Sequence, residues 1–106
     1  MNEKIRNHII AYNQRKYGIK ATELDERTFN ETITEADFIY EEKIETRRHW
    51  TDVLRVCKID GMLIGYDWAV GTGDMDLEDV GWEFDSDSIC EVKPEEKTIT
   101  VYRKID

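Results

Sequence analysis

The dipeptide Asp60-Gly61 constrains the fold more than any other feature of this sequence. It separates two apolar, strand-like runs, and Asp-Gly favours a two-residue hairpin turn with positive φ at both positions. Such a turn fixes the strand register. The expected cross-strand pairs are Ile59 with Met62, Cys57 with Ile64, Arg55 with Tyr66, and Val53 with Trp68. These pairs share a mostly apolar face, which is therefore predicted to face the core.

Before this hairpin, the pattern changes from helical to extended. Residues 2–17 predict an amphipathic helix, because Asn2 is a suitable N-cap and Gly18 is a natural stop. Residues 21–33 are polar and weakly patterned. From residue 37 apolar side chains alternate, which favours a strand over residues 37–46. A rival helix capped by Thr34 is the alternative interpretation.

The remaining elements follow from alternation and turn residues. Strands are predicted at 50–59 and 62–70 around the Asp-Gly turn, and at 89–93 and 98–105 around a second turn at 94–97. Residues 71–88 are expected to form an acidic loop, with one helical turn near 74–80 that Gly81 ends. The chain is thus predicted to be a single α+β domain over residues 1–106, an N-terminal helix packed on a four- to five-stranded antiparallel sheet.

Charge is segregated along the chain. Residues 59–92 contain ten acidic residues and no Lys or Arg, whereas the rest carries 15 basic and 14 acidic residues, so this third accounts for the net charge of −9. Charge on this scale concerns partners and solubility, not fold. Alternate acids in an extended segment lie about 6.6 Å apart, so rows of carboxylates could mimic a phosphate backbone. The predicted binding residues are Asp74, Asp76, Glu78, Asp79, Trp82, Glu83, Asp85 and Asp87.

Two other interpretations of the acidic segment stay open. It could be a solvated loop that only keeps the protein soluble. Asp74, Asp76 and Glu78 also begin like a calcium-binding EF-hand loop, but Asp79 stands where glycine is required and Asp85 where glutamate is required. No metal is therefore expected. Trp82 lies within the segment and is predicted to anchor a protein interface, or else to pack against the core.

A short basic cluster offers an alternative ligand site. Arginine forks can grip phosphate groups, and neighbouring aromatic rings can stack on a base. The residues of this alternative site are Arg47, Arg48, Trp50, Tyr66 and Trp68. The ordinary interpretation is a solvated strand start beside core aromatics. No glycine-rich phosphate loop accompanies the cluster, because Gly71-Thr-Gly73 precedes aspartates.

The sequence contains few residues that could carry out catalysis. The sequence has two histidines, His8 and His49, and two cysteines, Cys57 and Cys90, without zinc-ligand spacing. No catalytic residue, cofactor or enzymatic activity is expected. No apolar run is long enough for a membrane span, and residues 1–17 lack the apolar region of a signal peptide. A cytoplasmic protein with two buried free thiols is the expectation.

A resemblance adds to this interpretation. The stretches RHWTDVLR (48–55) and GYDWAVGTGD (65–74), in a small acidic chain with one N-terminal helix and a short sheet, resemble small phage and prophage proteins of the anti-CRISPR and anti-defence type. The resemblance implies a non-catalytic inhibitor in the host cytoplasm. Its partner would be a host protein with a basic nucleic-acid-binding surface, without direct nucleic-acid binding. The alternatives are a sponge for an anionic nucleotide signal and a structural or assembly protein. The oligomeric state and the individual functional residues do not follow from the resemblance.

Overall fold

The structure is a computed structural model that describes residues 2–73, 76–96 and 98–105. In these ranges two α-helices and a four-stranded antiparallel sheet form an α+β arrangement, which confirms the predicted fold class. The helices are α1 (Glu3–Tyr17) and α2 (Glu26–Thr34), and the strands are β1 (Phe38–Thr46), β2 (Trp50–Ile59), β3 (Met62–Gly71) and β4 (Cys90–Glu91). Short 3-10 helices lie at Ala21–Glu23 and Ser86–Ser88.

The Asp-Gly hairpin is present in the predicted register. Asp60 has a φ of 48° and Gly61 a φ of 82°, as a primed turn requires. Ile59 is opposite Met62, and the pairing continues without a break to Trp50 opposite Gly71. The strand order is β1-β2-β3-β4, so the described strands follow one another as a meander.

Helix α1 also begins and ends where its sequence indicates. The Asn2 side chain accepts a hydrogen bond from the backbone N–H of Lys4 at 2.8 Å, and Gly18 closes the helix with a left-handed φ of 68°. The two caps satisfy backbone N–H and C=O groups that the first and last turns of a helix leave unpaired.

Helix α2 was not predicted from the polar segment 21–33. Asp25 caps it by accepting from the N–H of Thr28 at 2.8 Å, and Phe29 and Ile33, one helical turn apart, are both buried. Thr34 is the last residue of α2 and not the cap of a later helix. The strand interpretation of the following segment is confirmed, because β1 begins at Phe38.

The helices cover one face of the sheet. The core is formed by Ile5, Ile9, Leu24, Phe29, Ile33, Cys57, Ile59, Ile64, Tyr66 and Ile89. It includes four of the eight residues on the face predicted from the hairpin; Val53 on that face is also buried, whereas Met62, Arg55 and Trp68 are only partly buried. The opposite face, which carries Leu54, Val56 and Leu63, has no helix over it in the described part of the chain.

The predicted second hairpin is wrong for the residues that the structure describes. Strand β4 covers only Cys90–Glu91 of the predicted 89–93, and residues 98–105 lie in no strand. A Cβ at Gly65 would lie 2.8 Å from Cγ1 of Val92, so the Val92 side chain lies over Gly65 on the face without helices. The N–H of Val92 still donates to the carbonyl of Leu63 in β3 at 3.0 Å, and Pro94, which has no N–H, cannot continue the ladder.

Candidate functional site

The acidic segment is held in place by local turns. The N–H of Asp79 donates to the carbonyl of Asp76 at 3.0 Å, and the N–H of Trp82 donates to Leu77 O at 3.0 Å. Gly81 ends this helical turn with a φ of 82°, as the sequence predicts for the part that is described. Asp74, the first of the predicted binding residues, lies outside the described residues.

The second half of the segment docks on the sheet through Ser88. Its hydroxyl donates to the carbonyl of Asp85 at 2.6 Å and accepts from the N–H of Asp67 in β3 at 3.0 Å. The Asp85 carboxylate accepts from the N–H of Asp87 at 2.9 Å and caps the 3-10 helix. This contact between Asp67 and Ser88, which are far apart in the sequence, fixes the acidic segment against β3.

The acids are exposed, but they do not form the extended rows expected from the sequence. The exposed carboxylates are those of Asp76, Glu78, Asp79, Glu83, Asp85 and Asp87. Asp76 and Glu78 belong to a helical turn and Asp87 to a 3-10 helix. The spacing of an extended chain therefore does not hold along the whole acidic segment. We name these six residues the acidic surface.

Two cations pair with acids that lie near the acidic surface in the sequence, but they do not neutralise the acidic surface itself. Arg15 of α1 pairs with Asp60, and Lys4 pairs with Glu91 at 2.8 Å. Within the described ranges, no ion pair involves the six carboxylates of the acidic surface. Helix α1 therefore offsets negative charge near the two ends of residues 59–92 and leaves the middle of that segment negative.

Four aromatic rings pack against one another where the acidic segment meets the sheet. The Trp82 ring stands edge-on to Trp68, with 5.2 Å between centroids, and Phe84 lies 5.8 Å from Trp68. Tyr66 contacts Trp68 and Phe84 at 6.0 and 6.1 Å. Such edge-to-face pairs are favourable beyond the apolar area that they bury. Trp82 is thus half-buried and packed against the sheet.

Beside Trp68 and Trp82 lies a groove of about 280 Å³. Its polar wall carries five carboxylates and one guanidinium. The lining residues are Ile44, Glu45, Arg47, Asp52, Val53, Asp67, Trp68, Trp82, Glu83 and Asp85. An acidic groove with aromatic walls suits a cationic side chain, because carboxylates and ring faces both attract cations.

Arg47 is already engaged by acids of its own chain. Its Nε donates to Asp52 at 2.5 Å and its Nη2 to Glu45 at 3.1 Å. The Arg47 guanidinium lowers the pKa of Asp52, and a hydrogen bond from the Trp50 indole at 2.8 Å acts in the same direction. Two of the nitrogen donors of the Arg47 guanidinium therefore already bind carboxylates. The guanidinium is poorly placed to bind a phosphate group with two donors at once.

The alternative ligand site is not assembled as one surface. Tyr66 is 0% exposed, so it cannot stack on a ligand. Trp68 lines the acidic groove, Trp50 is half-buried at the start of β2, and Arg48 is exposed in the connection between β1 and β2. Phosphate would approach Arg47 past Glu45 and Asp52, which repel it.

Both thiols were predicted to be free and buried; the prediction of burial is right for Cys57 and wrong for Cys90. Cys57 is 0% exposed in β2, and burial raises the pKa of its thiol to about 11. Cys90 is exposed, and its pKa is raised by partial burial and then by the nearby Asp67. A raised thiol pKa opposes nucleophilic chemistry, because the thiolate is the reactive form.

Sequence reasoning missed Phe84, the Asp67–Ser88 contact and the acidic partners of Arg47. Phe84 alternates with Trp82 along the chain, which was a usable signal for a shared face. The Asp67–Ser88 contact joins residues 21 positions apart and left no local signal, whereas Glu45 and Asp52, two and five positions from Arg47, were visible as nearby acids.

Comparison with known proteins gives no relative. No family model, no curated protein and no solved structure matches the chain. In the described residues, no helix is long and apolar enough to cross a membrane, and no group of three or more His, Cys, Asp or Glu side chains is arranged to hold a metal ion.

Proposed function

We propose that the protein is a non-catalytic inhibitor that binds a basic, nucleic-acid-binding surface of another protein through its acidic surface. The observation that carries this proposal is the set of six exposed carboxylates without ion-pair partners among the described residues, two of which, Glu83 and Asp85, line the groove beside Trp68 and Trp82. Electrostatic steering by such a surface can raise association rates by about 10- to 1,000-fold. Arginine and lysine are the residues that bind phosphate backbones, and the same side chains would enter the acidic groove.

The phage-type resemblance supplies the identity of the partner class. It implies a defence protein of the host cell whose nucleic-acid site is blocked. The nucleotide-sponge alternative receives less support, because Arg47 faces two carboxylates and Tyr66 is buried.

The test compares two variants with the same change in net charge. The site variant carries Glu78→Gln, Asp79→Asn, Glu83→Gln and Asp87→Asn, which spares the capping carboxylate of Asp85. The control variant carries Glu35→Gln, Asp37→Asn, Glu95→Gln and Glu96→Gln, which are exposed acids away from the acidic surface. Both are used as baits in a host lysate beside the wild type, and captured proteins are identified by mass spectrometry.

Association rates of the captured partner are then measured at 0.1 M and 1 M salt, with duplex DNA or RNA as competitor. We expect the site variant to associate at least about tenfold more slowly than the wild type, whereas the control stays within about twofold. The wild-type rate should fall as the Debye length shrinks from about 10 to 3 Å. Equal rates for the two variants, or a partner that holds the protein and nucleic acid together without mutual weakening, would contradict the proposal.

A parallel titration addresses the sponge. Cyclic dinucleotides are titrated into the wild type and an Arg47→Gln, Arg48→Gln variant. Under the inhibitor proposal neither protein binds them. Saturable binding by the wild type that the arginine variant loses would favour the sponge instead.

A further inference from the structure

Strand β1 is an open edge of the sheet that is nine residues long and exposes apolar side chains. In the described part of the sheet it pairs with β2 only, and all nine of its residues are exposed. Ile39, Tyr40 and Ile44 are 61%, 51% and 61% exposed. A long apolar edge with unpaired backbone groups is a template for another strand.

The chain also contains an unpaired segment with the character of a strand. In residues 98–105, Ile99, Val101, Tyr102 and Ile105 are 71–98% exposed. Apolar Ile99 and Val101 alternate with threonines, and β-branched and aromatic residues of this kind favour strands. Eight extended residues span about 26 Å, which nearly matches the nine residues of β1.

The edge and the segment are opposite in charge. Strand β1 contains three Glu and one Lys, whereas residues 98–105 contain Arg103 and Lys104 and no acid. Glu41 and Glu45 already pair with Arg55 and Arg47. Glu42 is opposite Leu54 and therefore lies on the sheet face without helices, where an added strand would meet it. Opposite charges across a strand pair are favourable.

The β1 edge of its own chain does not receive the segment, because β1 pairs only with β2 in the described sheet and the apolar side chains of residues 98–105 stay exposed. The radius of gyration is 17.3 Å and the longest extent 65 Å, against a radius of about 13 Å for a compact chain of this length. The chain leaves β4 at the far side of the sheet from β1, with β2 and β3 between them. After β4, Lys93, Pro94 and Glu95 border a groove on the helix-free face together with Ile39 and Tyr40 of β1, and residues 98–105 follow without pairing with β1.

We propose that residues 98–105 of one copy add as a strand to the β1 edge of a second copy, and that the exchange is reciprocal. The product is a symmetric dimer in which the same contact forms twice. Each β1 edge is then covered, and Ile99 and Val101 gain apolar neighbours. This dimer is independent of the proposed partner binding, and its test needs no partner.

The first experiment measures molar mass by light scattering between 5 and 500 µM. The wild type is expected to reach twice the chain mass. Val101→Pro should weaken dimerisation at least about tenfold, since proline disrupts ladder bonding in both symmetric contacts. Val101→Thr, which keeps the N–H and a β-branched side chain, should dimerise like the wild type. Circular dichroism checks that both variants keep their helices.

The second experiment exchanges the charges. Glu42→Lys alone and Arg103→Glu with Lys104→Glu alone each place like charges at both contacts, so each protein should be monomeric where the wild type is a dimer. In a mixture of the two, each tail meets an edge of opposite charge, and dimers should return. A wild type that stays monomeric, a dimer insensitive to Val101→Pro, or a mixture that fails to recover would each overturn the proposal.

Discussion

Replacing Trp82 by alanine tests whether the acidic surface is packed on the sheet or merely lies near it. Trp82 is half-buried and contacts Trp68 with 5.2 Å between ring centroids. Removing a fully buried tryptophan costs about 3–5 kcal/mol, so a half-buried ring should contribute about 2 kcal/mol. For a domain of this size that loss lowers the melting temperature by about 10 °C.

The control lies in the same segment. Glu83→Ala removes an exposed side chain next to Trp82 and should change the free energy of unfolding by less than about 0.5 kcal/mol. A double-mutant cycle with Trp68→Ala isolates the ring pair, and we expect a coupling energy of about 0.5–1.5 kcal/mol. Thermal and urea unfolding measure both quantities.

The same variant separates steering from anchoring. Trp82→Ala keeps every carboxylate, so association with a basic partner should be nearly unchanged while dissociation becomes faster. The reasoning fails if Trp82→Ala unfolds at the temperature of Glu83→Ala, or if the two tryptophan substitutions are additive.

Two further predictions concern the hairpin and the buried thiol. Gly61→Ala should cost about 1–2 kcal/mol in urea unfolding because its φ is 82°; no described atom lies within 4 Å of the new Cβ, so crowding does not contribute. Gly61→Asn should cost less than half as much, since asparagine tolerates this conformation, and equal losses would argue against backbone strain. Burial raises the Cys57 pKa from 9.0 to about 11, so the unfolded thiol ionises first and this contribution to stability is lost as pH rises from 9 to 11. The loss approaches about 1.4 kcal/mol per pH unit. Cys57→Ala should show a shallower decline over that range, and an identical slope would show that Cys57 is not its cause.

The register of the central hairpin could be predicted from the sequence because its cause is local. Asp60 and Gly61 accept positive φ, and the turn then aligns every pair from Ile59–Met62 outward. Helix α1 is equally local, with its cap at Asn2 and its stop at Gly18. The concentration of acid in residues 59–92 is likewise a property of the sequence alone.

The position of the acidic surface was decided by a contact between distant residues, since Ser88 joins Asp67 across 21 positions. The ion pairs of Arg47 with Glu45 and Asp52, which reduce its use for phosphate, join residues only two and five positions apart and depend on how the chain turns between β1 and β2. The alternation of apolar residues predicted that Tyr66 faces the core. Whether the Tyr66 ring could still contact a ligand depended on which residues of other elements pack over it.

Tertiary structure also decided the fate of the last residues. Alternating Ile99 and Val101 predict a strand, and the pattern is strand-like in isolation. A strand exists only where a neighbour supplies hydrogen bonds. The Val92 N–H still donates to Leu63 O of β3, but Pro94 has no N–H with which to extend that ladder. Local sequence therefore determined which segments can form strands, and the tertiary structure determined that residues 98–105 have no strand partner in their own sheet.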